Sequence, residues 1–121
     1  MYKTFKEMPI WHKAMEIAET VHSHTENLPS KEDFGFTSQI RRSALSISAN
    51  ISEAFGRNHT MDKINFYYMA RGSLTETQSH LEYGKRVGYM SKEFVEETER
   101  SLIELYNDIN KVIQALKESR K

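Results

Sequence analysis

The stretch from Gln39 to Arg57 is long enough for a helix, yet it contains almost no large polar side chains after its first turn. Between Ser43 and Phe55 the only charged residue is Glu53. A helix with one face in water normally carries a broad polar stripe opposite its apolar one. The stretch therefore predicts a helix that is buried on more than one side, against a partner subunit as well as against the chain's own core.

Length and composition limit the other possibilities. The 121 residues, 14.2 kDa in all, are predicted to form one domain spanning residues 1–121, large enough to bury a core without metals or disulfides. The absence of cysteine excludes disulfides, thiolate catalysis and thiolate metal sites, and it favours an intracellular protein. No apolar run is long enough for a signal peptide or a membrane span. We therefore predict a cytoplasmic protein with no membrane partner.

The charges balance overall but not locally. Seventeen Lys and Arg residues offset seventeen Asp and Glu residues, so the molecule as a whole exerts no electrostatic attraction on nucleic acid or acidic membranes. Residues 34–90 contain seven basic and four acidic side chains, a net charge of +3, and the two ends together are −3. Binding to RNA would therefore need a local basic patch.

Four segments have helical periodicity, and short polar turns separate them. The first is predicted to run from about Pro9 to Leu28, with the proline in its first turn, where a missing N–H costs nothing. Hydroxyl side chains are positioned to cap the helices that follow, and a glycine is positioned to end the second one. These predicted boundary residues are Thr37, Thr60 and Ser91 as N-caps and Gly56 as the terminator.

Each predicted helix carries an apolar seam with alternating three- and four-residue spacing. The seam residues are Ile10, Ala14, Ile17, Val21, His24 and Leu28 in the first helix, Phe36, Ile40, Ala44, Ile47, Ile51 and Phe55 in the second, Tyr67, Ala70, Leu74, Thr77, Leu81, Gly84 and Gly88 in the third, and Val95, Thr98, Leu102, Leu105, Ile109, Val112 and Leu116 in the fourth. Helices of this length joined by short turns run antiparallel. The predicted fold is all-α, an antiparallel up-down-up-down four-helix bundle.

The second helix has a further set of residues outside its seam, and we predict that they form an oligomer interface. Gly72 lies in the middle of the third helix, where glycine costs about 1 kcal/mol relative to alanine, so a close approach to the backbone is expected there. Small residues on both helices would allow such an approach. The predicted interface residues are Leu45, Ser46, Ala49, Asn50 and Glu53 of the second helix and Glu76 of the third.

No arrangement of residues predicts catalysis or a metal centre. A di-iron bundle needs Glu-x-x-His on two helices, and only one copy occurs, from Glu19 to His22, on the side away from the seam. Glu76 and His80 are one helical turn apart, a spacing that is typical of a helix-stabilising contact. The glycines match no phosphate-binding loop. The sequence therefore predicts a protein that is not an enzyme and has no cofactor or metal.

Basic residues cluster in the middle of the chain. Together with Tyr67 and Tyr68 they could form a rim around the turn between the second and third helices and bind nucleic acid by phosphate contacts and stacking. The alternative is a solvated face whose cations pair with Glu53 and Asp62. The predicted nucleic-acid-binding residues are Arg41, Arg42, Arg57, Lys63 and Arg71, with His59 in the same rim.

Several motifs in order resemble the four-helix bundle family encoded by intervening sequences within some bacterial 23S rRNA genes, a ribosomal-protein-like family. They are IWHKAMEIA from Ile10, QIRRSALSISANISEAFGR from Gln39, GSLTE from Gly72 and GYMS from Gly88, and the resemblance covers nearly the whole chain. The family usually has proline where this chain has Ser48 and glycine where it has Ala54. These departures predict a straighter second helix.

The resemblance implies a bundle that assembles into homopentamers. It also implies kinship with accessory proteins of diversity-generating retroelements, which bind nucleic acid and a reverse transcriptase. Those proteins are typically strongly basic, and the neutral charge of this chain argues against that particular role. The leading hypothesis is a non-enzymatic homo-oligomer that binds RNA or a ribonucleoprotein. The alternative, which the zero net charge favours, is a protein–protein scaffold that binds no nucleic acid.

Overall fold

The computed structural model describes residues 1–120, which form four α-helices and no β-strand. The helices are α1 (Pro9–His24), α2 (Phe36–Gly56), α3 (Thr60–Arg86) and α4 (Lys92–Ser119), and short 3-10 turns at Phe5–Glu7 and Ser30–Glu32 precede the first two. Among these residues no helix combines the length and hydrophobicity needed to cross a bilayer.

Contacts between helices establish how they run. Residue numbers rise along one helix as they fall along its neighbour: Ser43 and Ser46 of α2 meet Thr77 and Ser73 of α3, respectively. The same order relates α3 to α4 and α1 to α4, and α1 also packs on α2. The predicted all-α, up-down-up-down bundle is therefore confirmed.

The buried apolar side chains form one cluster that all four helices share. Most predicted seam residues belong to it, and α4 shows the main difference. Ile113 is buried near the end of α4, whereas Val112 and Leu116, predicted for the seam, are only partly buried. A strict seven-residue repeat drifts by about 20° per heptad on a straight helix, so the buried stripe of α4 moves on by one residue towards its end.

The first helix is shorter than predicted because Thr25 ends it. The Thr25 hydroxyl donates to the Val21 carbonyl at 2.8 Å, and its backbone N–H bonds to the carbonyl of His22. These bonds tighten the last turn, so α1 ends at His24 rather than near Leu28. His24, predicted for the seam, is exposed, and its ring stacks on that of Phe94 with centroids 3.8 Å apart.

The N-terminus of α2 is capped by a carboxylate, and the prediction of Thr37 as its cap is wrong. Glu32 accepts a hydrogen bond from the Phe36 N–H at 3.2 Å and another from the Tyr89 hydroxyl at 2.7 Å. The bond from Tyr89, with that from Phe36, holds the pKa of Glu32 below its ordinary value. A Cβ on Gly35 would lie 2.8 Å from the Glu32 carboxylate, so a side chain there would displace the carboxylate from its capping position.

Two of the other predicted boundaries shift by one residue, and one is confirmed. The N-cap of α3 is His59, so Thr60, predicted for that position, is the first helical residue. Gly56 is the last residue of α2 instead of the residue after it. Ser91 caps α4 as predicted, since its hydroxyl accepts a hydrogen bond from the Phe94 N–H at 3.1 Å.

Two glycines of the predicted α3 seam have different roles. Gly84 is buried, and a Cβ there would lie 2.9 Å from the ring of Phe36 and 3.1 Å from the sulfur of Met90. Gly88 is exposed in the turn after α3, with φ of 86°, a conformation that glycine adopts without strain. The prediction that Gly88 lies in the seam is therefore wrong, because α3 ends at Arg86.

We expect Gly84→Ala to destabilise the protein by about 1–3 kcal/mol, because the added methyl group overpacks the contact with Phe36 and Met90. Thermal and urea unfolding followed by circular dichroism measure the change. The matched control is Gly56→Ala, where a Cβ meets no atom within 4 Å. Equal stability of the two variants would contradict the packing argument.

Candidate functional site

Small polar residues bring α2 and α3 close together. The Thr77 hydroxyl donates to Ser43 at 2.9 Å, and the Ser73 hydroxyl donates to Ser46 at 3.0 Å. Asn50 donates from its amide to the backbone carbonyl and the hydroxyl of Ser46. Ser46 and Asn50, predicted for a subunit interface, are thus half-buried and hydrogen-bonded within the subunit.

The outer surfaces of α2 and α3 form one continuous face, which we call the α2–α3 face. Few of its side chains are charged, and Leu45 and Met69 are each 53% exposed. Its exposed residues are Arg42, Leu45, Ala49 and Glu53 on α2 and Asn65, Met69, Gly72, Glu76, Ser79 and Tyr83 on α3. Four of the six predicted interface residues therefore lie on this face, namely Leu45, Ala49, Glu53 and Glu76.

Gly72 lies in the middle of the α2–α3 face. A Cβ at this position would meet no atom within 4 Å, so the close approach expected from the sequence does not occur within the subunit. Neighbouring charges are held by local pairs: Glu76 lies 3.2 Å from His80, and Glu53 lies 3.8 Å from Arg57.

The outer surfaces of α1 and α4 have a different character. Their exposed side chains are densely charged, as expected for helices in contact with water. Lys13 bridges the two helices, because its amine contacts Glu104 at 2.5 Å and Asp108 at 2.6 Å. The hydrogen bond to Asp108 raises the pKa of Lys13 most, and the bond to Glu104 raises it further. The exposed charged residues are Glu16, Glu19, Lys92, Glu93, Glu96, Glu97, Arg100, Glu104, Lys111, Lys117 and Glu118.

Cations from α3, from α4 and from the residues that follow α2 and α4 lie in one half of the bundle, the half where α2 ends, α3 begins and α4 ends. We call it the basic end, and define it by Arg57, Lys63, Arg71, Lys117 and Arg120. The antiparallel arrangement brings the last turn of α4 beside the first half of α3: Arg120 contacts Met61, and Lys117 lies over the ring of Tyr68. Glu53, Asp62 and Glu118 are the carboxylates of the same region.

Aromatic rings accompany four of these five cations. The guanidinium carbon of Arg57 lies 4.6 Å from the ring centroid of Phe66, and the Lys63 amine lies 5.9 Å from that of Phe55. Arg71 is 4.9 Å from the Tyr68 ring and 5.5 Å from the Tyr106 ring. These contacts favour a cation over a π face without neutralising its charge.

The structure separates the predicted basic residues into two groups. Arg41 donates to the Thr25 hydroxyl at 2.7 Å and to the His22 carbonyl, which ties it to the end of α1. Arg57 follows Arg41 by sixteen positions, about 24 Å along the helix axis. A single rim that includes Arg41 and Arg42 is therefore wrong, whereas Arg57 and Lys63 lie near the turn between α2 and α3, and Arg71 lies in the first half of α3.

Lys117 and Arg120 of the basic end were not predicted. The charge count grouped the C-terminal helix with the N-terminal segment, and the acidic residues elsewhere in these segments masked a basic terminus. The signal that could have identified them is the topology, because an up-down-up-down bundle returns the end of the fourth helix to the start of the third.

Lys63 also has a structural contact at the end of α2. Its amine donates to the carbonyls of Ala54 and Phe55 at 3.2 and 3.1 Å. These are among the terminal carbonyls that have no partner within their own helix, and a cation there also opposes the negative end of the helix dipole. Lys63 thus fastens the start of α3 to the end of α2.

The remaining titratable groups are dispersed. Glu19 and His22 are both exposed, and His22 lies 3.8 Å from Glu26. Within residues 1–120, no three His, Asp or Glu side chains are grouped so that they could hold a metal ion. Burial raises the pKa of Tyr67 to about 12, so its phenol is a neutral part of the core.

The model of the 23S rRNA-intervening sequence protein family matches residues 6–114. The chain belongs to this family. Among solved structures, it is similar to a protein of unknown function of the S23 ribosomal protein family from Bacteroides thetaiotaomicron, with a TM-score of 0.77 and 28% sequence identity. The match covers 86% of this chain and 97% of that one. No curated protein matches the chain. The predicted family is therefore confirmed.

We expect Lys63→Met in this family member to lower the free energy of unfolding by about 0.5–1.5 kcal/mol, because two α2 carbonyls lose their hydrogen-bond donor. Urea unfolding measures the loss. Lys111→Met, at an exposed position of α4, is the control and should stay within about 0.5 kcal/mol of the original protein. A Lys63 variant as stable as the control would contradict the capping role.

Proposed function

We propose that the protein is a homo-oligomer that binds RNA, or RNA within a ribonucleoprotein, and catalyses no reaction. The α2–α3 face joins the subunits, and the basic end contacts the RNA phosphates. The observation that carries the proposal is the grouping of five cations from separate chain segments in one half of the bundle, in a molecule with no net charge.

The basic end has the chemistry of a phosphate-binding surface. Lysine and arginine neutralise phosphates and release counterions, a contribution that does not depend on sequence. Within residues 1–120, Arg71 and Lys117 form no ion pair with a carboxylate, so their charges are available to an external anion. Arg57 contributes a third charge, since its carboxylate contact at 3.8 Å is exposed and weak.

The α2–α3 face supports self-association. An exposed helix face with few charges, three large apolar or aromatic side chains (Leu45, Met69 and Tyr83) and a mid-helix glycine is unfavourable to leave in water. The charged outer surfaces of α1 and α4 have no such requirement. Contact between unlike surfaces of successive subunits closes into a ring when the rotation permits, and five copies is the number that the family resemblance implies.

Assembly also answers the objection that the chain has no net charge. One basic end offers few phosphate contacts, but a ring repeats it in every subunit at a fixed spacing. Linked sites raise the overall affinity without any new type of contact, provided that one RNA can reach several of them. The predicted sites Arg41 and Arg42 lie outside the basic end, and Arg42 is on the α2–α3 face.

We expect Leu45→Glu and Met69→Glu each to dissociate the oligomer, because a carboxylate buried between subunits loses its hydration at a cost of several kcal/mol. Light scattering after size exclusion measures the mass. The original protein should run near 71 kDa, about five times its 14.2 kDa chain, and both variants near the mass of one chain. Ile103→Glu, at an α4 residue that is 49% exposed, is the control and should not change the mass. A monomeric original protein would contradict the proposed assembly.

We expect Arg71→Gln and Lys117→Gln each to weaken RNA binding. Each should also reduce the slope of the logarithm of the RNA-binding constant against the logarithm of the salt concentration, by about one unit for each phosphate contact removed in each chain. Gel shift with a structured RNA at several salt concentrations measures both effects. The control is Arg100→Gln, an exposed α4 cation distant from the basic end.

The outcomes separate the two functional hypotheses. If an intact oligomer binds no RNA at low salt, the RNA-binding proposal fails. If it then retains a host polypeptide after nuclease treatment, the scaffold hypothesis takes its place. If Arg100→Gln weakens RNA binding as much as Lys117→Gln, the assignment of the basic end fails.

A further inference from the structure

Two tyrosines and two cations form a distinct group on the α3–α4 side of the basic end, which we call the tyrosine cluster. The Arg71 guanidinium contacts the rings of Tyr68 and Tyr106, with its carbon 4.9 and 5.5 Å from their centroids. Its guanidinium donates to the Asn110 amide oxygen at 2.8 Å, and the amine of Lys117 lies 5.5 Å from the Tyr68 centroid. The tyrosines are half-buried and Lys117 is exposed.

We infer that the tyrosine cluster binds unpaired, single-stranded RNA by stacking bases on Tyr68, Tyr106 and the Arg71 guanidinium. The inference rests on the proposed RNA-binding function and specifies the class of RNA. Aromatic rings and planar guanidinium groups stack on base faces irrespective of base identity. Lys117 and Arg71 supply the phosphate contacts beside them.

Duplex RNA cannot use the same features. In an A-form helix each base face is covered by its neighbours, and the protein meets only phosphates, 2′-hydroxyls and groove edges. The tyrosine rings would therefore add nothing to duplex binding, while the cations would act on both forms. Only an RNA whose bases are already unstacked gains from the whole cluster.

The cluster remains accessible in the proposed oligomer. Tyr68 directly precedes Met69 of the α2–α3 face, and Arg71 directly precedes Gly72 of the same face. Neighbouring residues on a helix are rotated by about 100° from each other, so Tyr68 and Arg71 lie to one side of that face. The cluster thus points towards α4 and away from the surface assigned to the neighbouring subunit. Its partners Tyr106, Asn110 and Lys117 are all on α4.

Arg71 is held in place before any ligand arrives. Its hydrogen bond to Asn110 and its contacts with two rings restrict a side chain that otherwise has many rotamers. A group fixed in this way loses little conformational freedom on binding. Within residues 1–120 Arg71 forms no ion pair with a carboxylate, so its charge is available to an external anion.

The test compares one RNA in two forms. A fluorescein-labelled 15-nucleotide RNA of mixed sequence is titrated with the full chain by anisotropy at 50 mM salt, first alone and then annealed to its complement as a blunt duplex. We expect the single strand to bind at least about tenfold more tightly than the duplex. Equal affinity for the two forms overturns the inference, although the proposed function then stands. Binding of neither form defeats both.

Variants locate the effect. The double substitution Tyr68→Leu with Tyr106→Leu keeps apolar packing and should weaken single-strand binding by about tenfold or more, with duplex binding within about twofold and an unchanged salt slope. Phe34→Leu removes a fully exposed aromatic ring at the other end of the bundle and is the control. Arg71→Lys, which keeps the charge but not the plane, should give a smaller loss of the same kind. Unchanged single-strand affinity in the tyrosine variant overturns the inference. If that variant misfolds, the test rests on Arg71→Lys and on the ratio of single-strand to duplex affinity measured with the original protein.

Discussion

The close packing of α2 against α3 is the contact on which the rest of the structure depends. The hydroxyl pairs Ser43–Thr77 and Ser46–Ser73 lie between the two helices, with their oxygens 2.9 and 3.0 Å apart. Larger side chains at these positions would hold the helices apart. A buried hydroxyl without a hydrogen bond costs free energy, so the two pairs also favour this register of the helices. That register aligns the outer stripes of α2 and α3 into a continuous face.

The bundle consequently has two kinds of outer surface. The outer surfaces of α1 and α4 are densely charged, as expected for helices in contact with water. Lys13 of α1 also forms ion pairs with Glu104 and Asp108 of α4. The α2–α3 face has an exposed leucine and an exposed methionine, and the space beside its glycine, Gly72, is not occupied by any atom of the same subunit within 4 Å of a Cβ placed there. Our proposal that a second copy covers this face, and that RNA binds at the basic end, follows from that division.

Much of the fold could be predicted from the sequence, because apolar spacing reports directly on which residues face inward. The seams of α2 and α3 were largely right, and Ser91 was correctly identified as a cap. The failures have local causes. Thr37 was displaced as a cap by Glu32, which lies outside the helix, and the α4 seam drifted to Ile113 because 3.6 residues per turn do not match a heptad.

The sequence by itself determined the family, the four helices and the scarcity of charged residues along α2, since all of these depend on residue type and spacing along one chain. The tertiary structure decided which basic residues are neighbours. It separated Arg41 from Arg57 by the length of α2 and brought Lys117 and Arg120 to the start of α3. The physical reason is that a patch depends on distances between helices, and charge counts along the chain contain no such distances. The stretch from Gln39 to Arg57 predicted a second contact, and the packed bundle shows which of its residues are exposed outside the core.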